Sequence, residues 1–319
     1  MNKKVITLSF ALVLGACSTT TKNIGGKSNQ PGQIKPARES SATAKYVTRE
    51  ESVIMSSVEG RTQIPYSDLQ ALPTSTKSSS FSYGGDPLQF VSVWNAKKTA
   101  GNVNRTDQAV IFVHGGCWLN AFDLTHAEGF YHALSERGVG VYAVEYRRTG
   151  DEGGGWPGSA MDVSLAIDAS LKHIAKEKRY QQVSVVGHSA GGHLALLASQ
   201  TVNPPQGVSL NTIIGLAAIT DVKKYALGSN SCQTATPLFM GGEPEELSDE
   251  YKNATPHAAD IAFSILLMQG TSDSIVPVEH AFMSGANTIT VENGGHFDWL
   301  HPDSTSFNAL IEVLSKNDE

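Results

Sequence analysis

The residues that could do chemistry centre on Gly187-His188-Ser189-Ala190-Gly191. A serine hydroxyl is a weak nucleophile until a base removes its proton, and the base needs an orienting carboxylate. An apolar run, Val183 to Val186, precedes this pentapeptide, and Leu194-Ala195-Leu196-Leu197-Ala198 follows it. That order predicts strand, sharp turn and helix, the context of a nucleophile elbow. Side chains at positions 187 and 191 would collide with the neighbouring strand and helix, which accounts for both glycines. The turn lifts Ser189 Oγ clear of the sheet edge, with a helix N-terminus behind it to stabilise negative charge. A lone Gly-X-Ser-X-Gly string arises by chance in many turns, so its partners decide the reading.

Ten histidines compete for the role of base. His296 stands in a glycine loop, Asn293-Gly294-Gly295-His296, directly after the last predicted strand, where a side chain can reach across the sheet edge. His188 and His193 flank the nucleophile and are expected to pack and bond locally. His173 falls on a predicted surface helix, and His126, His132, His257, His280 and His301 lack a comparable loop. For the acid, Asp273 follows the buried run ending at Leu267-Met268 and precedes His296, the Ser–acid–His order of this motif's fold class. Asp221, after the preceding strand, is the runner-up. Both also suit ordinary turns, where Asp is common. The third requirement is a pair of donors for the developing oxyanion. Gly115 and Gly116, in His114-Gly115-Gly116-Cys117-Trp118, and the N–H of Ala190 are the candidates. His114 is expected to brace that loop. Trp118 and Trp156 could line an acyl or alcohol pocket, although core packing is the default for tryptophan.

These groups need a scaffold that carries strand ends to one edge. Pro87 to Trp94 alternates like an edge strand, and Ala109 to Val113 and Val139 to Val144 read as buried strands. His126 to Arg137 and Asp162 to Lys176 carry apolar residues at helical spacing. After the elbow come strands at Thr212 to Ile219 and Ile261 to Met268. Val278 to Ser284 reads as a short helix, Thr288 to Val291 as a strand, and Ser304 to Leu314 as a closing helix. Continuous apolar strands alternating with helices predict an α/β domain built on a mostly parallel, doubly wound sheet. Residues Val222 to Ala259 interrupt the rhythm with Gly, Pro, Ser and acids, and read as a short irregular cap insertion, a candidate lid.

The N-terminus reads as an address. Lys3 and Lys4, an apolar run from Val5 to Leu14, and Gly15-Ala16 compose a signal peptide over residues 1–16. Leu14-Gly15-Ala16-Cys17 resembles a bacterial lipobox, which implies a diacylglycerol on Cys17 and, with Ser18 following, an exported lipoprotein sorted to the outer membrane. Residues 17–45 are polar and aperiodic, as a flexible tether would be. Residues 46–319 then suit one domain. The formal charge of −7 leaves no basic cluster for nucleic acid. Histidine and acid spacing matches no zinc site, no phosphate-binding Walker loop is present, and neither metal nor cofactor is expected. Cys117 and Cys232 could pair in an oxidising compartment, but spacing alone cannot establish it.

Taken together, His114-Gly115-Gly116-Cys117-Trp118, Glu145-Tyr146-Arg147-Arg148, Gly155-Trp156-Pro157-Gly158, Gly187 to His193, Gly270-Thr271-Ser272-Asp273 and Gly295-His296-Phe297-Asp298 resemble the α/β-hydrolases. The resemblance covers Phe81 to Leu314. It is closest to the branch of hormone-sensitive-lipase-like esterases, kynurenine-formamidase-like enzymes and the feruloyl/acetylxylan esterase-like domain. It implies a serine hydrolase with Ser189 as nucleophile, Asp273 as acid, His296 as base, and Gly115, Gly116 and Ala190 as oxyanion donors. The Glu145-Tyr146-Arg147-Arg148 string departs from that of the lipase-like esterases and favours the formamidase and feruloyl-esterase side. Three functions follow from the resemblance: a carboxylic ester hydrolase, an arylformamidase-like amide hydrolase, or a lipoprotein that keeps the fold only to bind. The acids in and beside the insertion, Asp221, Glu243, Glu245, Glu246, Asp249 and Glu250, either line the mouth and repel anionic substrates or form a solvated surface. The first case predicts short, uncharged acyl esters as substrates.

Overall fold

The structure, a computed structural model, describes residues 53–55, 60–97 and 107–316. The signal peptide, Cys17 and the tether lie outside the described residues. Among the described residues the sheet has nine strands: β1 (Val53–Met55), β2 (Ser79–Ser82), β3 (Phe90–Trp94), β4 (Gln108–Val113), β5 (Gly140–Val144), β6 (Gln182–His188), β7 (Ser209–Leu216), β8 (Ser264–Gly270) and β9 (Asn287–Val291). Their spatial order is β1-β9-β8-β7-β6-β4-β5-β3-β2. Only the β2·β3 and β3·β5 pairs run antiparallel. The fold is thus the mostly parallel α/β-hydrolase architecture.

The strand pattern explains the layers. In β4, Ala109, Ile111 and Val113 face one apolar cluster while Val110 and Phe112 face the other. Period-2 alternation therefore feeds two cores, which is why parallel strands read as unbroken apolar runs. Helices α3 (Gly158–Glu177) and α4 (Ala190–Ser199) cover the first face, through residues such as Val163, Ile167, Leu171 and Leu194. Helices α2 (Glu128–Glu136) and α9 (Thr305–Lys316) cover the second, through Phe130, Leu134, Phe307 and Leu310. All ten residues of α4 are buried, as expected of a helix that is apolar on every side.

The expected elements from Ala109 onward are present within a few residues. Pro87 to Trp94 shortens to β3 and lies one strand in from the edge, because β2 pairs outside it. That strand, β1 and α1 (Tyr66–Gln70) were not anticipated; each is too short to carry a period. The insertion after β7 is not irregular. It holds four short helices, α5 (Val222–Ala226), α6 (Ser231–Thr234), α7 (Thr236–Met240) and α8 (Ser248–Asn253). Each spans little more than a turn, so its stability comes from packing and caps rather than from a readable pattern.

Candidate active site

Parallel pairing of β4, β6, β7, β8 and β9 puts their C-terminal ends on one edge of the sheet. Loops leaving those ends converge, and this is where open α/β sheets gather ligands. Ser189 leaves the central strand, β6. Its backbone is held at φ 55 and ψ −122, with its N–H donating to Leu216 O at 2.9 Å. A β-carbon on Gly191 would sit 2.2 Å from Val113 O, and one on Gly187 would sit 2.4 Å from Gly191 O. Both contacts are far below a permissible distance, so the elbow closes only with glycine at those positions.

The loop after β4 lies against Ser189. A β-carbon on Gly115 would come within 3.1 Å of Ser189 Cβ and 2.9 Å of His188 O. Behind this loop, His114 Nδ1–H donates to Gly115 O at 2.7 Å, and its Nε2 meets Glu145 Oε1 at 3.2 Å. The Gly115–Gly116 peptide plane is fixed by that first bond, because its carbonyl is spoken for and its N–H must point away from it. Tyr146 stacks on His114, with centroids 4.5 Å apart, and donates its hydroxyl to His114 O. Arg148 pairs with Glu145 at 3.1 Å, while Arg147 makes a two-pronged contact with buried Asp162. Glu145 and Tyr146 thus brace the loop, Arg148 holds Glu145, and none of the four residues lines the Ser189 cavity.

The loops after β8 and β9 supply a carboxylate and an imidazole. Asp273 Oδ2 accepts from His296 Nδ1 at 2.7 Å, and both side chains are buried. Asp273 Oδ1 also accepts the N–H groups of Ile275 and Val276 at 2.8 and 2.9 Å, and Gln269 Nε2 reaches Oδ2 at 3.2 Å. The carboxylate is therefore locked by its own turn. The loop of His296 is pinned by Asp298, which accepts the N–H groups of Gly295, Gln63 and Ile64. Among the described residues, neither His296 Nε2 nor Ser189 Oγ engages in a hydrogen bond. Asp221 sits elsewhere in function: it caps α5 by accepting Lys224 N–H at 2.9 Å.

Ser189, His188 and His296 share a cavity of about 340 Å³ with Tyr66, Gly116, Cys117, Leu119, Phe122, His126, Ser231, Cys232, Ile275 and Phe297. No Lys, Arg, Asp or Glu lines it. A larger cavity of about 460 Å³, beside Lys77, Glu145 and Arg148, contains none of Ser189, Asp273 and His296. His188 donates Nε2–H to His296 O at 3.0 Å. Burial, then the neighbouring His296 charge, push its pKa well below that of a free imidazole, so it stays neutral beside His296. His126 donates Nδ1–H to Asp123 O at 2.5 Å, and burial holds its pKa down at about 4. No metal-binding cluster of His, Cys, Asp and Glu occurs among the described residues.

The tryptophans follow their packing default, and the acids of the insertion follow the solvated-surface alternative. Trp118 is fully buried and lines no part of the cavity; its Nε1–H donates to His193 Nδ1 at 3.1 Å, and its ring stacks on Phe239. Trp156 donates to Glu250 Oε2 instead. A tryptophan N–H seeks a partner, and both found one away from the cavity. The insertion's acids also stay out of the cavity wall, to which the insertion contributes only Ser231 and Cys232. Tyr66, Phe122, His126 and Phe297 went unnoticed as cavity residues, since nothing in their local sequence marks them. Cys117 and Cys232, left open above, form a disulfide.

A family model described as BD-FAE matches residues 98–283, more than half of the chain. The chain is 24% identical over 225 residues to the esterase LipC of Mycobacterium tuberculosis, a match covering 62% of this chain and 52% of that relative. It thus spans about half the length of LipC. It is 28% identical over 215 residues to a kynurenine formamidase of Meyerozyma guilliermondii, covering 62% of this chain and 75% of the relative. Among solved structures, a truncated carbohydrate esterase from gut microbiota matches with a TM-score of 0.59 at 19% identity, over 77% of this chain and 99% of that one. That last likeness is one of fold. On an α/β-hydrolase scaffold, with a serine turn, a glycine pair and an imidazole–carboxylate pair gathered at one sheet edge, the chain belongs to the BD-FAE family.

Proposed function

We propose that the chain hydrolyses carboxylic esters through an acyl-enzyme formed on Ser189. The observation that carries this reading is the His296 Nδ1 to Asp273 Oδ2 contact of 2.7 Å, made by an imidazole that lines the same cavity as Ser189. The carboxylate holds Nδ1 protonated, which leaves Nε2 as the free base. His296 takes the Ser189 proton as Oγ attacks the carbonyl carbon. The N–H groups of Gly115, Gly116 and Ala190 receive the oxyanion, and His296 then protonates the departing alcohol. Water, activated by the same imidazole, releases the acid. Apo geometry with Ser189 and Nε2 not yet bonded is common before substrate tightens the site.

The substrate reading is a short, uncharged acyl ester. A cavity of about 340 Å³ must seat both acyl and alcohol groups, and its walls are Tyr66, Phe122, Leu119, Ile275 and Phe297, without a formal charge. Support now comes from that lining rather than from the insertion's acids. Attachment of the exported chain to the outer membrane through Cys17 belongs to the same proposal and rests on the lipobox-like string. A formamide is the second reading, favoured by the likeness to a kynurenine formamidase.

The test is a series of p-nitrophenyl esters from acetyl to dodecanoyl, run beside N-formylkynurenine, with wild type and Ser189→Ala. Ser189→Ala is expected to lower kcat by roughly 10⁴-fold or more and to abolish labelling by a fluorophosphonate. Rates that rise toward dodecanoyl, or labelling that persists at another serine, would remove the proposal.

A further inference from the structure

Cys117 directly follows the glycine pair assigned to the oxyanion, and Cys232 lies in α6 of the insertion, 115 residues further on. The two are bonded, with Cα atoms 5.0 Å apart, and both face the cavity that holds Ser189.

The turn they anchor is unusual for its residue types. Leu119 N–H donates to Gly116 O at 2.9 Å, which closes a tight turn over Cys117 and Trp118. Both central residues are left-handed, with φ of 53 and 59. Turns with two positive φ values are normally filled by Asn and Gly, because a β-carbon there crowds the backbone. Cys and Trp hold this shape only if each is fixed from outside. Trp118 is fixed by full burial, by its bond to His193 and by stacking on Phe239 at 4.7 Å. Cys117 is half-buried and makes no side-chain hydrogen bond among the described residues; its anchor is the disulfide.

The far end of that anchor is itself held. Asn230 and Gln233 cap α6 reciprocally. Asn230 Nδ2 donates to Ile275 O at 2.8 Å, and Tyr225, in α5, donates its hydroxyl to the same oxygen at 3.0 Å. Ile275 belongs to the turn whose N–H groups lock Asp273. A rigid path therefore runs from the oxyanion loop, through the disulfide and α6, to the loop of the acid.

We propose that the Cys117–Cys232 disulfide is a positioning element of the oxyanion hole, and that turnover is consequently thiol-sensitive. This rests on the reading of Ser189 as the nucleophile of an esterase. A dithiol entering the cavity attacks one sulfur and expels the other cysteine as thiolate. Its second thiol then closes on the mixed disulfide, which leaves two cysteine thiols and the oxidised reagent. The turn loses the bond that imposes positive φ on Cys117, and the adjoining Gly116 N–H drifts from the alkoxide. The apolar walls that bind the ground state stay where they are. Transition-state stabilisation falls while substrate binding does not.

The experiment compares the oxidised full chain, the same protein after dithiothreitol and again after reoxidation, and Cys232→Ser. Thiol titration, circular dichroism, and kcat and KM on p-nitrophenyl butyrate are read for each. Reduction should expose two thiols, keep the native spectrum, lower kcat by roughly ten- to a hundredfold and leave KM within about threefold. Reoxidation should restore wild type, whereas Cys232→Ser should match the reduced enzyme and ignore dithiothreitol. An unchanged kcat with both thiols titrated would overturn the proposal. So would a rise in KM alone, or a loss of kcat that merely tracks loss of the native spectrum. If Ser189→Ala turned over the ester as well as wild type, the esterase reading itself would fail, a result separate from any of these.

Discussion

Two buried carboxylate–imidazole pairs of the same make-up differ in how their ring nitrogens are used. Asp273 meets His296 at 2.7 Å and Glu145 meets His114 at 3.2 Å. Each carboxylate is further satisfied by backbone N–H groups, from Ile275 and Val276 in one case and from Leu124 and Tyr146 in the other. The pairs part company at the second ring nitrogen. His296 Nε2 makes no hydrogen bond among the described residues and shares the cavity with Ser189, as the proposed proton carrier must. His114 commits Nδ1 to Gly115 O, and Glu145 is also held by Arg148. Burial pushes the Glu145 pKa up, but the His114 charge and hydrogen bond, Arg148 and Leu124 N–H outweigh it and keep the carboxyl below its usual value. The residue pair alone thus says little about role; the unclaimed nitrogen decides it.

That contrast can be broken at the Asp273–His296 pair first. Asp273→Asn is expected to lower kcat by about 10⁴, because the amide no longer fixes the tautomer or offsets the charge of His296. Asp221→Asn, a cap replaced by an equally good cap, should change kcat by no more than about twofold. Steady-state kinetics on both variants would overturn the assignment if the order were reversed. At the other pair, His114→Gln cannot serve Gly115 O and Glu145 together. A drop in kcat of roughly tenfold to a hundredfold is expected, with KM nearly constant, and a loss of stability of about 1–3 kcal/mol in urea unfolding. A drop as deep as that of Asp273→Asn would mean that His114 takes part in proton transfer.

A smaller effect sharpens the comparison through a third buried imidazole. His193 accepts from Trp118 and donates Nε2–H to Ala254 O at 2.6 Å, and burial brings its pKa down to about 4. Between that value and the usual 6.5, the unfolded chain binds more protons than the folded one. The stability that rests on neutral His193 is therefore whole above about pH 6.5 and is lost as pH falls toward 4. His126 and His280, each also lowered to about 4, add to the same slope. Glutamine at 193 can keep both hydrogen bonds without titrating. Thermal denaturation between pH 7 and pH 4.5 should then show a shallower fall in Tm for His193→Gln than for wild type. Parallel curves would assign the acid sensitivity to other groups.

Much of this site was legible from sequence because its parts are local. The elbow of β6, Ser189 and α4, the Gly115–Gly116 loop and the Asp273 turn each lie within a few residues of an apolar strand. The parallel sheet then gathers them without further instruction. What stayed hidden is non-local. Tyr66 reaches the cavity from a five-residue helix far upstream, Asp298 closes the base loop onto the N–H groups of Gln63 and Ile64, and Cys117 finds Cys232 across the sheet edge. No period or motif announces such meetings. The insertion misled for a related reason: its charge is plain in the sequence, but which face carries it depends on how four helices of four to six residues pack.

The place where those four helices leave the sheet has an evolutionary consequence. They spring from β7, the strand between the one that bears Ser189 and the one that precedes Asp273, and β7 itself contributes no residue to the cavity lining. Residues 222–259 lie outside the hydrogen-bond register that pairs β6 with β7 and β7 with β8. Selection, or a protein engineer, can therefore rewrite one wall of the cavity as a cassette. The constraint on such rewriting is a short set of contacts: whatever replaces the cassette must still offer a cysteine to Cys117, a ring to Trp118, an acceptor to His193 and donors to Ile275 O.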